Sequence, residues 1–136
     1  MTTPVIVIID IPMKETLTSN QREHWAQRSR RAKNLRLKGK FHTQHALKGH
    51  PGQHMPPVFR QAHCLVDIQW PDNRRRDAHN WMPTIKHLID GCVDAGILPD
   101  DSDKHLIGPD IRPTTGVKTD SLFNTARFTL TFKDPK

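Results

Sequence analysis

Tyrosine is absent from this chain, and aromatic residues make up only 6% of it. That leaves a mainly aliphatic core of modest size, the kind that an oligomer interface often completes. The two cysteines, Cys64 and Cys92, stand far apart with no CxxC or other ligand spacing. Such spacing excludes a disulfide scaffold or a cysteine-based zinc ribbon and reads as two packed thiols in a reducing compartment. Long apolar runs are also missing. The longest, Val5 to Ile9, is far shorter than the roughly 20 residues of a membrane span, and no charged segment followed by an apolar one opens the chain. We therefore expect a cytoplasmic protein without a membrane partner.

What is abundant is positive charge. The 136 residues carry 21 Lys and Arg against 14 Asp and Glu, a formal net charge of +7. The length fits a single domain, 1–136. The excess is concentrated: Arg22, Arg28, Arg30, Arg31, Lys33, Arg36, Lys38 and Lys40 are accompanied by one acid, Glu23. A solvated basic helix that merely keeps the protein soluble would look similar. A second cluster, Arg74, Arg75 and Arg76, tips the reading towards nucleic acid, with Arg28, Arg31, Lys33, Arg36 and Arg74 to Arg76 as the candidate phosphate contacts.

Local patterns predict an α+β fold, a mixed sheet packed with helices. Val5 to Ile9 is an unbroken β-branched run and reads as a strand covered on both faces, inside the sheet. Thr18 with Gln21 three residues later predicts a helix from about Asn20 to Leu37 that Gly39 ends, with Trp25 and Leu35 facing inward. The stretch 41–57, rich in His, Pro and Gly, reads as a flexible loop over the substrate site. Its histidines 42, 45, 50 and 54 invite a zinc reading, but the spacing of structural zinc sites is absent. Cys64, Val66, Ile68 and Trp70 alternate as in a strand that Pro71 stops. Ile85, Leu88, Ile89, Cys92 and Val93 recur at helical steps, predicting a helix from about Pro83 to Ala95 capped by Gly96. Phe128, Leu130 and Phe132 predict a last strand, after a turn-rich segment marked by Pro109, Pro113 and Gly116.

Two acidic features flank the second helix: Asp77 before it, and Asp100-Asp101-Ser102-Asp103 after it. Lys86 and Asp90 lie one turn apart on the helix itself. Taken singly, these are a surface ion pair of about 0.3–0.5 kcal/mol and an acidic turn.

Taken together, in order, they resemble a known pattern. Arg75-Arg76-Asp77-Ala78-His79-Asn80, then Lys86 to Gly96, then Ile97-Leu98-Pro99-Asp100-Asp101-Ser102 is similar to the RusA family of Holliday junction resolvases, often carried by phages. The family shows an arginine run, Asp-x-Asp-Asn, a helix with Lys and Asp a turn apart, Ala-Gly, and Asp-Asp with a small polar residue. Ser19-Asn20 with Arg22 matches its N-terminal motif more loosely. The resemblance implies a RusA-like homodimer that cuts four-way DNA junctions in an infected or prophage-bearing bacterial cell. It places the catalytic carboxylates at Asp77 and Asp101 and the catalytic lysine at Lys86. This chain departs from the pattern in two ways: about three extra residues between Asn80 and Ile85, and His79 in place of the second carboxylate.

The implied chemistry is hydrolysis of a DNA phosphodiester dependent on Mg²⁺, with no small-molecule cofactor. Asp77, His79 and Asp101 are the expected metal ligands, with Asp100 as a substitute donor, and Lys86 stabilises charge on the phosphate. Imidazole suits Mn²⁺ better than Mg²⁺, so His79 shifts the expected metal preference. Two alternatives stay open: a branched-DNA-binding protein of the same fold with a weakened metal site, and a looser structure-directed nuclease acting on forks and flaps.

Overall fold

Alternation at period two sets the sheet. A computed structural model describes residues 2–22, 24–113 and 124–135. Strand β1 (Val5–Pro12) buries Val5, Val7, Ile9 and Ile11, β2 (Ala62–Gln69) buries Ala62, Cys64, Val66 and Ile68, and β4 (Thr125–Lys133) buries Ala126, Phe128, Leu130 and Phe132. With β3 (Leu106–Pro113) they form one mixed sheet in the order β1-β4-β2-β3. β4 runs antiparallel to both its neighbours, while β2 and β3 are parallel, joined through helix α2 (Met82–Asp94). Helix α1 (Trp25–Ala46) packs on α2. The result is a small α+β domain whose core holds the buried sheet residues together with Leu35, Ile85, Leu88, Ile89 and Cys92.

Both cysteines are free and buried, as expected of packed thiols. Burial pushes the thiol of Cys92 up to about 12 and that of Cys64 higher still, so neither is a nucleophile at neutral pH. None of the helices described is long and apolar enough to cross a membrane.

The strand at Val5 forms where expected, but at an edge of the sheet and not inside it. Only one of its faces is covered: Ile6 and Ile8 are 55% and 51% exposed. They lie on the open face beside Thr131 and Thr129 of β4, across from Leu65 and Asp67 of β2.

Helix α1 starts later and ends later than its sequence signals indicate. Gln21 does accept from the Thr18 amide at 2.9 Å, half of a capping box. The chain around it is pulled elsewhere, however. The buried Thr84 hydroxyl accepts from Leu17 N at 2.8 Å and donates to Leu17 O at 2.7 Å, and Ser19 N donates to Asn80 O at 2.9 Å. These bonds lash residues 17–19 to the head of α2, and α1 begins only at Trp25, with His24 Nδ1 accepting from Ala26 N. Trp25, expected inside, is 75% exposed.

Gly39 does not end the helix. It is buried where α1 crosses α2: a Cβ there would lie 2.3 Å from Leu88 O, and one on Gly91 would lie 2.0 Å from Arg36 O and 2.9 Å from Gly39 Cα. Two glycines thus let the backbones touch. Gly49, with φ +78°, follows the helix where Gly39 was expected to. Residues 41–46 of the expected loop are therefore helical. The remainder is tied by His50 Nε2 on Thr3 O, and the chain just after it by Val58 N on Gly96 O, past the C-terminal end of α2.

The segment expected to be turn-rich includes a strand. β3 accommodates Pro109 and Pro113 because it is the other sheet edge, where a missing N–H costs no ladder bond. Its register against β2 slips between His63 and Leu65, at Gly108, whose φ is +100° and whose Cβ would meet Cys64 O at 2.8 Å. Gly116 lies outside the described residues.

Candidate active site on helix α2

Consecutive turns of α2 present Lys86 and Asp90, because residues four apart share a helix face. Lys86 Nζ lies 2.9 Å from Asp101 Oδ2 and 3.6 Å from Asp90 Oδ1. Asp101 reaches it from the connection between α2 and β3, so two carboxylates, one from the same helix and one from beyond it, converge on one cation. Both carboxylates thus sit beside the same ammonium group.

The electrostatics follow from that crowding. Burial raises the Asp90 carboxyl, with the neighbouring Asp101 acting in the same direction and Lys86 opposing it. The hydrogen bond from Lys86 lowers Asp101, and the same bond raises Lys86. Two carboxylates side by side, one reluctant to ionise, hold Lys86 charged between them. Beside them opens a cleft of about 160 Å³ lined by Met82, Lys86, Ile89, Asp101, Leu106, Gly108 and Pro109. His87, whose burial lowers its pKa, stands 3.8 Å from Asp90 and backs the cluster as a neutral ring.

Asp77 and His79 form a second group. Asp77 caps the 3-10 turn Ala78–Trp81 by accepting from His79 N at 3.0 Å, and its Oδ1 is 3.6 Å from His79 Nδ1. Both side chains are exposed. Asp100 points elsewhere: it accepts from Ser102 N at 2.8 Å and faces His105 at 4.0 Å. Among the described residues, no three His, Cys, Asp or Glu side chains converge closely enough to hold a metal ion. By donor chemistry, the oxygens of Asp90 and Asp101 fit a hard divalent ion such as Mg²⁺, and the Asp77–His79 pair fits Mn²⁺.

No protein-family model matches the chain, and no curated protein matches it in sequence. The likeness to RusA resolvases rests on the residues themselves and their order.

The expected phosphate contacts divide into those that face solvent and those already engaged. Arg74 and Arg75 are exposed just before Asp77 in the chain, Arg74 with Asp72 at 3.9 Å. Arg76 is turned inward instead: its side chain is only 8% exposed, it bonds Asp72 at 2.7 and 3.3 Å, and its guanidinium lies 5.0 Å over the Trp70 ring. Trp81 packs edge-on against Trp70, ring centroids 4.7 Å apart. Arg76 therefore braces the loop from which its two neighbours project. On α1, Lys33 is exposed, Arg36 makes a bidentate pair with Asp94 at 2.6 and 2.8 Å, Arg28 reaches Thr18 O at 3.5 Å, and Arg31 is half-buried.

Asp90 is the residue that sequence reasoning left as half of an ion pair. The signal was present in its spacing from Lys86. Its closeness to Asp101 depends on how the α2–β3 connection folds back along the helix, which spacing does not encode.

Proposed function

We propose that the chain is a divalent-metal-dependent endonuclease that resolves Holliday junctions or related branched DNA. The observation that carries the reading is the bridging of Asp90 and Asp101 by Lys86 at the mouth of a cleft, in a protein of net charge +7. Asp101 with Asp90, and Asp77 with His79, are the residues that would hold the metal. A divalent ion bound there supplies polarisation of the scissile phosphate and a lowered pKa for an attacking water. Lys86, raised by its partners and so fully charged, stabilises the negative charge that builds on the phosphate. Arg74 and Arg75 hold the adjacent backbone, so affinity falls steeply with salt. The open face of the sheet, with Ile6 and Ile8 exposed on it, is a candidate contact for the homodimer that paired cleavage of a twofold junction requires.

The alternative, a branched-DNA-binding protein with a weakened metal site, is favoured by one observation: Asp77 has an imidazole beside it where the resolvase pattern has a second carboxylate. Cleavage of a labelled synthetic four-way junction, next to a fork and a linear duplex, in Mg²⁺ and separately in Mn²⁺, separates the readings. We expect paired symmetric nicks in the junction, lost in Asp77→Asn and Lys86→Met while junction binding remains. Tight binding with no cleavage in either metal selects the binding protein, and equal cutting of fork and junction selects the looser nuclease.

A further inference from the structure

Trp25 is the first residue of α1, and three-quarters of it faces solvent. Trp70 and Trp81 show the ordinary alternative, each half-buried against the other. Trp25 instead stacks on the adjacent His24, ring centroids 5.7 Å apart and planes 29° from parallel, leaving an aromatic step on the surface. Among the described residues the ring has no packing duty: Trp25 is not one of the core residues, nor does its ring cap the helix, which His24 does through Nδ1.

The surroundings of that step are cationic. Arg22 is exposed on the approach and Arg28 lies one turn along, and α1 itself, Trp25 to Ala46, contains seven Lys and Arg and no Asp or Glu. The step is also held in a fixed relation to the candidate active site. Arg28 reaches Thr18 O, and residues 17–19 are bonded to Thr84 and to Asn80 O, three residues from Asp77. A flat aromatic surface within a positive field matches a nucleobase whose phosphates lie among the cations. Bases inside a duplex are already stacked, so only an unpaired base can use it.

We infer that Trp25, backed by His24, is a stacking platform for an unpaired base at a branch point or strand end, positioning the DNA relative to Asp77 and Lys86. The inference rests on the nucleic-acid reading above and adds to it a preference for unstacked bases.

The test compares binding of a fully paired duplex with the same duplex carrying one unpaired 2-aminopurine. The wild-type protein is expected to favour the bulged duplex and to quench the 2-aminopurine. Stacking on an aromatic ring is worth about 1–3 kcal/mol per base, so Trp25→Ala should weaken the bulged complex roughly 5- to 150-fold and leave the paired duplex unchanged. Trp25→Phe should keep most of the affinity. Because the side chain is exposed, the thermal midpoint should not move in either variant. Equal weakening of both duplexes, or no change in either, overturns the platform while leaving the nucleic-acid reading intact. Failure of the wild-type protein to bind any DNA overturns both. Insertion of Trp25 into phosphatidylserine vesicles, seen as a blue shift that Trp25→Ala removes while its binding of bulged DNA is unchanged, would assign the step to a membrane surface instead.

Discussion

Replacing Gly91 by alanine sets two well-calibrated effects against each other. Helix propensity favours the change: alanine in a helix interior is better than glycine by about 0.8–1.0 kcal/mol. Packing opposes it, because the new Cβ would sit 2.0 Å from Arg36 O, 2.6 Å from Lys40 N and 2.9 Å from Gly39 Cα. All three are backbone atoms of α1, so no side-chain rotation relieves the contact, and the helices must separate by more than an ångström. Overpacking costs about 1–3 kcal/mol where side chains can adjust, and a backbone collision lies at the upper end. The net expectation is a loss of about 2 kcal/mol, or a fall in thermal midpoint of roughly 6–10 °C for a domain of this size. Differential scanning calorimetry of the variant beside the wild type measures it directly. A midpoint that rises or stays level would mean that propensity wins, and that α1 does not rest on α2 through its glycines. The same displacement moves the cationic helix relative to Lys86, so on the proposed nuclease reading cleavage should fall more than stability alone accounts for.

Two further expectations concern charge. Arg75→Ala should leave the thermal midpoint unchanged, weaken DNA binding and flatten its salt dependence by about one unit of slope. Arg76→Ala should instead lower the midpoint, since it removes the guanidinium between Trp70 and Asp72; the opposite pattern in fluorescence anisotropy and thermal melts would reverse the assignment. Acid should destabilise the fold through carboxylates held low by cations: Asp72 at about 2 by Arg76, Asp94 by Arg36 and Asp101 by Lys86. A depressed carboxyl contributes stability above its unfolded value near 3.8, and that contribution is lost as pH falls towards 2. Asp90 has the opposite sign, because its raised carboxyl opposes folding once pH exceeds its unfolded value. Asp72→Asn should therefore flatten the acid limb of a pH–stability curve, and Asp90→Asn should leave stability at neutral pH equal or higher; a steeper acid limb in the first would count against the Asp72–Arg76 pair.

How much of this was legible in the sequence depended on whether the deciding forces were local. The helix at Pro83 and the strands at Cys64 and Phe128 announce themselves because their apolar period, an N-terminal proline and the glycine at 96 all act within a few residues. Gly39 misled because one residue type serves two purposes, ending a helix or permitting another to approach it. The strand at Leu106 was hidden by Pro109 and Pro113, which read as turns unless the strand is known to be an edge. Val5 to Ile9 gives the strand correctly, but its neighbours come from the far end of the chain, so which face is covered is not written locally. Of the candidate site, Asp77, Lys86 and Asp101 were nameable from their order. The joining of Asp90 to Asp101, and the withdrawal of Arg76 from its arginine neighbours, both arise from tertiary contacts.

The position of β4 between β1 and β2 bears on how the molecule is made. Synthesis proceeds from the N-terminus at roughly 5–20 residues per second, and the central strand, Thr125–Lys133, is the last of the four to leave the ribosome. Until then β1 has no strand partner on the edge that will face β4, and its backbone N–H and C=O groups on that edge wait unpaired. The parallel unit of β2, α2 and β3 is complete earlier and can form a first folded nucleus, onto which the two ends of the chain close together. Nascent molecules stalled before residue 125 should therefore be the ones that chaperones hold and proteases remove.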